Sequence, residues 1–167
     1  MLKSTLVAVS AYLMVSAPVQ AGLQVRFIEG APKDMFVLTN TGACDVVASD
    51  VSIDLSASAG RLIFDVTGAG AGVNVFQPVD FVEGAEALQE LPLVEDGQTS
   101  VDLKIQSLAA GQNIAFTVDV DDTIGQREIT VSGSEIVGAV LSFKTGSEEL
   151  SGVFSSDALA EVQTGTC

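Results

Sequence analysis

The sequence predicts an all-β fold, a two-sheet antiparallel β-sandwich of the immunoglobulin-like or cohesin/jelly-roll-like kind. Three observations predict it. Short stretches alternate apolar and polar residues with period two. They recur about every ten residues with Gly, Asn and Ser turns between them, the rhythm of a sandwich more than of a barrel. No heptad, repeat or long helical pattern competes.

In chain order, Leu23, Val25 and Phe27 alternate with Gln24 and Arg26, which predicts a first strand. A turn over Gly30 to Lys33 leads to a second strand, Met35 to Thr39. Asn40 to Ala43 turns the chain again and delivers Cys44. Val51, Ile53 and Leu55 alternate with Ser52 and Asp54 as a third strand, and Leu62 to Val66 reads as a fourth. Gly68 to Gly72, GAGAG, has neither the spacing nor the following helix of a phosphate-binding loop and reads as a flexible turn, with a short strand over Val73 to Phe76. Gln77 to Gln98 reads as an acidic surface loop with room for a helical turn or two in Glu83 to Leu91, fenced by Pro78 and Pro92. Val101, Leu103 and Ile105 form the next strand. Ile136 to Phe143 is nearly continuous apolar and predicts a buried strand; Glu148 to Phe154 and Ala158 to Gln163 close the domain.

The most informative stretch is Leu108 to Asp122. After a tight turn, Ile114, Phe116, Val118 and Val120 alternate with Ala115, Thr117, Asp119 and Asp121. The apolar set should face inward with Val101, Leu103 and Ile105. Arg127 to Val131 is expected to pair with this strand across a short loop.

The first 21 residues predict a cleaved leader. Lys3 supplies a positive start, Leu6 to Val15 an apolar core, and Val19-Gln20-Ala21 a cleavage pattern after Ala21. The apolar run is too short for a membrane anchor, and no stable membrane insertion is expected. Residues 22–167 are then one exported domain, extracellular, periplasmic or at the cell surface. Loss of Lys3 takes the formal charge from −15 to −16. So acidic a chain repels nucleic acid and anionic bilayers and attracts cations or a basic partner. Disorder does not follow from the charge, because the apolar residues are abundant and periodic.

Cys44 and Cys167 are the only cysteines, which in an oxidising compartment suggests one disulfide. The chain has no His and no Trp, and its one Tyr, Tyr12, lies in the leader. That excludes a Ser-His-Asp or Cys-His catalytic set and a His-based zinc or copper site. No catalytic residues are expected.

The candidate site is acidic. Asp119 and Asp121 share a strand face about 7 Å apart, Asp122 begins the loop, and Glu128 comes within reach on the partner strand. Crowded carboxylates suit Ca²⁺, which takes six to eight oxygens. The EF-hand pattern is rejected, since no Glu stands at the twelfth position. Asp45 and Asp50 are weaker candidates. Two readings compete: a Ca²⁺ site, or a solvated acidic face partly offset by Arg127 and Lys104. Paired carboxylates also serve glycosidases, but a sugar cleft without Trp, Tyr or His is poor.

Three segments carry a resemblance: Leu38 to Val66, LTNTGACDVVASDVSIDLSASAGRLIFDV; Gly68 to Pro78, GAGAGVNVFQP; and Phe116 to Ala139, FTVDVDDTIGQREITVSGSEIVGA. They resemble small exported bacterial proteins labelled aggregation-factor core proteins, which look like the core-ring domain of the sponge aggregation factor. The resemblance covers most of the chain after the leader. It implies an extracellular β-sandwich in adhesion or self-assembly, dependent in sponges on calcium and carbohydrate, with Asp119 to Thr123 as the segment matched to an ion. The expected partner is an extracellular protein, a glycan or a second copy of the chain. A Ca²⁺-assisted carbohydrate-binding module and, behind it, a secreted glycan hydrolase are the alternatives.

Overall fold

The structure is a computed structural model, described here for residues 20–68, 76–124, 130–146 and 148–166. Eleven strands occur among these residues: β1 (Gln20–Ile28), β2 (Asp34–Asn40), β3 (Ser49–Asp54), β4 (Ile63–Phe64), β5 (Asp80–Glu83), β6 (Ser100–Ile105), β7 (Asn113–Val118), β8 (Val120–Asp121), β9 (Val140–Thr145), β10 (Glu148–Val153) and β11 (Leu159–Thr166). A five-stranded sheet runs in the order β11-β1-β2-β7-β5 and a four-stranded sheet in the order β10-β9-β3-β6. Both are antiparallel and pack against each other as a sandwich. β4 and β8 make a separate two-stranded ribbon.

The alternation seen in the sequence sets which side chains meet between the sheets. Leu23, Val25 and Phe27 of β1 and Ile114, Phe116 and Val118 of β7 are buried from one side. Val51 and Ile53 of β3, Val101, Leu103 and Ile105 of β6, and Leu141 and Phe143 of β9 are buried from the other. Cross-strand pairing aligns Phe27 with Phe36, Phe36 with Phe116, and Phe116 with Phe81. Their ring centroids stand 5.2, 5.3 and 5.3 Å apart, so a column of phenylalanines crosses β1, β2, β7 and β5. Phe64 meets Phe36 edge-on at 6.2 Å and ties the β4–β8 ribbon to the column.

Several elements differ from the sequence expectation. β5 lies in the stretch read as a surface loop, and the helical content there is one 3₁₀ turn, Ala85–Ala87. Gly84 ends β5 at a φ of 69°, where a Cβ would stand 2.0 Å from the Asn113 carbonyl oxygen; only glycine permits so close a crossing. The strand expected from Ile136 starts at Val140, because Ser132 to Gly138 are held in turns. Ser132 N–H and Oγ both donate to the Glu135 carboxylate, and Ile136 is buried from within that turn. Thr130 and Val131 are not in a strand; the rest of the expected hairpin partner, with Glu128 and Arg127, lies outside the described residues. Residues 73–75 also lie outside them, and Phe76 is not in a strand. Gln20 and Ala21, on the leader side of the expected cut, belong to β1. No helix among the described residues is long and apolar enough to cross a membrane.

Phe116 has a ring neighbour on each side and is 1 % exposed. Phe116→Ala is expected to lower unfolding stability by about 3–5 kcal/mol, from lost burial and the cavity left behind. Denaturant unfolding of both forms measures this; a loss below about 1 kcal/mol would show that the ring column does not hold the sheet together.

Candidate functional site: a buried carboxylate junction

The alternating strand that begins at Ile114 does not run straight through to Asp121. It breaks at Asp119, between β7 and β8. There the backbone leaves β2 and enters a three-way junction. Asp65 N–H donates to Asp119 O at 3.0 Å, Gln77 N–H to Asp65 O at 3.2 Å, and Asp119 N–H to Gln77 O at 3.2 Å. Three segments distant in sequence are thus closed into a ring of backbone hydrogen bonds. β8 continues by pairing with β4, Val120 opposite Phe64 and Asp121 opposite Ile63.

The change of partner carries the acids inward. Asp119, Asp121 and Asp122 are 5 %, 3 % and 6 % exposed, so they are not a solvated face. Of the two readings of these acids, the solvated face fails, because the alternation read through Asp121 stops at Val118, where β7 ends. Asp34, at the head of the inward row of β2, and Asp65, just after β4, are buried with them at 2 % and 1 %. Asp121 is the common neighbour, acting by its charge on Asp34, Asp65 and Asp119. Asp96 approaches Asp65 from the turn before β6, while its Oδ1 accepts the N–H groups of Val66 and Thr67, each at 2.9 Å. Asp122 Oδ1 accepts from Ile124 N–H at 3.1 Å, and Thr123 is anchored to Gly60 and Arg61.

The other sequence candidates lie elsewhere. Asp45 is exposed and accepts from Ala110 N–H at 3.2 Å. Asp50, on β3, stands opposite Lys104 and Lys144 in the four-stranded sheet. Lys104, expected to offset the acids, pairs instead with Glu90 at 2.7 Å. Glu128 and Cys167 lie outside the described residues, and no free cysteine occurs among those described.

Burial is the first cause that pushes Asp34, Asp65 and Asp119 each up to about 7 from the ordinary 3.8. For Asp65 the hydrogen-bonded Asp96 side chain and the charge of Asp121 add to it. For Asp119 the charge of Asp121 adds to burial and the Val120 N–H opposes it. For Asp34 the Gly30 N–H, 3.0 Å from Oδ1, opposes burial, and the charges of Asp119 and Asp121 reinforce it. No Lys or Arg is among these causes. Neither carboxylate oxygen of Asp65 has a hydrogen-bond donor, nor does Oδ2 of Asp119. An ionised carboxylate is acceptor-only, so neighbouring acids satisfy Asp65 only by sharing a proton. Such a junction can hold protons or a hard cation; ionised and empty, it is repulsive. No group of three or more Asp, Glu, Cys or His among the described residues is already disposed as a metal site.

Sequence reasoning found Asp119, Asp121 and Asp122 and missed Asp34, Asp65 and Asp96. Asp34 carried a signal: it extends the inward row Phe36, Leu38 by one step of two. Asp65 and Asp96 carried none: Asp65 is a single acid between Phe64 and Val66, and Asp96 sits with Glu95 before Gly97 in what reads as a surface turn.

The fold and the junction define a class, an all-β sandwich with acids buried at one end of its larger sheet. Comparison with family models, curated proteins and solved structures finds no match to the chain.

Asp34, Asp65 and Asp119 hold their protons to higher pH in the folded chain than in the unfolded one. Their stabilising contribution is therefore complete below about pH 4 and is lost as pH rises to about 7. In chelator at constant ionic strength the melting temperature is expected to fall across that range and level off above it. Asp65→Asn should flatten the fall. A melting temperature that rises from pH 4 to 7 in chelator contradicts this account of the junction.

Proposed function

We propose that the chain is an exported, non-catalytic β-sandwich module for extracellular adhesion, matrix or self-assembly, and that its folded form depends on Ca²⁺. The observation that carries this reading over its alternatives is the depth of the carboxylates. A glycosidase needs two carboxyl groups open to a sugar, and a lectin that holds sugar through Ca²⁺ needs the ion at the surface. Asp65 and Asp119 are closed off at 1 % and 5 % exposure, which suits an ion with a structural task. The resemblance to aggregation-factor core proteins and the strong negative charge support the same reading. Partner contact falls to the outer surface. Leu91 and Leu93, 61 % and 83 % exposed, form an apolar ridge with Pro92 beside Lys104 of β6.

Beads coated with the exported domain test the adhesive role. They are expected to aggregate in Ca²⁺ and to disperse in chelator at matched ionic strength, and Leu93→Asp should weaken aggregation. Dispersed beads in both conditions, with soluble protein monomeric in both by sedimentation, would reject self-assembly. Ca²⁺-dependent signal on a glycan array would favour the carbohydrate-binding alternative.

Export and a Cys44–Cys167 disulfide belong to the same proposal. Closing so long a loop stabilises by roughly 4–5 kcal/mol in the chain-entropy model. The exported protein should begin at Gly22 and yield a Cys44–Cys167 peptide on non-reducing mapping. An intact leader or two free thiols on that map would remove the corresponding part.

A further inference from the structure

We propose that the cation is held at the three-way junction by Asp65, Asp119 and Asp121, with Asp96 completing the site, and that the ion locks β4 and the turn before β6 onto the end of β7. This rests on the Ca²⁺ reading above but assigns a ligand set different from the one the sequence suggests. The acids alone do not make a site. The independent observation is Asp65: it is 1 % exposed, both its oxygens lack a donor, and its side chain is directed at Asp96 and Asp121. Asp119 Oδ2, in a residue 5 % exposed, lacks a donor in the same way. A buried carboxylate whose own oxygens have no donor, set among other carboxylates, is a place where a hard cation replaces missing donors.

The chemistry selects the ion. All candidate ligands are oxygens, and the chain has no His. No three-carboxylate cage is already formed among the described residues, so the proposal includes a shift of these side chains on binding. Ca²⁺ tolerates this, since it takes six to eight oxygens in flexible geometry, while Mg²⁺ demands a near-ideal octahedron and releases water reluctantly. Asp65 and Asp121 are brought near each other across the β4–β8 ribbon, and water and backbone carbonyls fill the remaining positions. Asp122, whose Oδ1 accepts the Ile124 N–H, is outside this set.

The test is Ca²⁺ titration of the exported domain by calorimetry at fixed ionic strength, with Mg²⁺ as competitor. Asp65→Asn should weaken Ca²⁺ binding about tenfold or more, the scale known for disturbed ligand shells, and Asp122→Asn should leave it nearly unchanged. Asp65→Asn is expected to fold, because the amide is neutral and can donate where the carboxylate only accepts; melting in matched Na⁺ checks this. Should that variant fail to fold, amide exchange in the wild-type domain decides. Ca²⁺ should slow exchange at Asp65, Gln77 and Asp119, whose N–H groups close the backbone ring. Wild-type affinity in Asp65→Asn, or unchanged exchange at those amides, overturns the ligand assignment while leaving Ca²⁺ binding intact. Absence of binding by the wild-type domain overturns both this assignment and the Ca²⁺ reading.

Discussion

The register of the larger sheet depends on the phenylalanine column. Phe27, Phe36, Phe116 and Phe81 are directly opposed across β1, β2, β7 and β5, with rings little more than 5 Å apart. Because side chains alternate along a strand, a slip of one residue in any pairing would turn that strand's ring out of the column and its whole inward row to solvent. The column therefore also fixes what lies beyond it. With Phe36 opposite Phe116, Asp34 falls opposite Val118, beside the point where β7 ends. Phe64 packs edge-on against Phe36, and the next residue is Asp65. The apolar contacts thus deliver the acids of three segments to one place.

Why the chain accepts this arrangement is a question of competing costs. Burying carboxylates without donors opposes folding, and burial leads what pushes the Asp65 carboxyl up. The backbone, by contrast, is well satisfied at the same spot, where Asp65, Gln77 and Asp119 each donate to the next. A strand that ran on from β7 without a break would carry Asp119 and Asp121 toward solvent but leave β4 without its partner. The break at Asp119 keeps Phe64 and Val120 in the core, at 0 % and 1 % exposure, and accepts buried acids in exchange. Such local conflict between packing and polarity is where a binding site is expected in an otherwise consistent fold.

The strands were legible wherever one face is buried and the other solvated, as in β1, β3, β6 and β7, because period-two alternation records that asymmetry. β5 was not legible. It is an edge strand of four residues whose acids and exposed Val82 read as loop, and it is placed by Phe81 joining a column no local pattern announces. Ile136 misled because apolar character shows burial and not backbone path; its burial comes from a turn braced by Glu135. At the site, Asp119 and Asp121 were visible as a cluster, but their depth was not. Period two extrapolated past the break assigns them to solvent. Asp65 and Asp96 enter only through long-range pairing, which a single sequence does not display.

The same reasoning bears on the charge of the whole chain. Spread over the surface, a net charge of −15 is ordinary protection against association, screened over a Debye length of about 8 Å in physiological salt. The acids at the junction differ in kind. They lie beyond the reach of that screening, and burial leads the causes acting on Asp34, Asp65 and Asp119. Added salt relieves the first kind of repulsion and not the second. A proton or a bound divalent ion relieves the second and has little effect on the first. If the junction takes up either, its occupant is decided by which of the two binds the ionised acids more strongly. The surface charge tips that competition only slightly, by drawing either cation toward the molecule. Under the proposal above, selectivity would arise from the oxygens of Asp65, Asp119 and Asp121, whose segments the phenylalanine column and the backbone ring bring together.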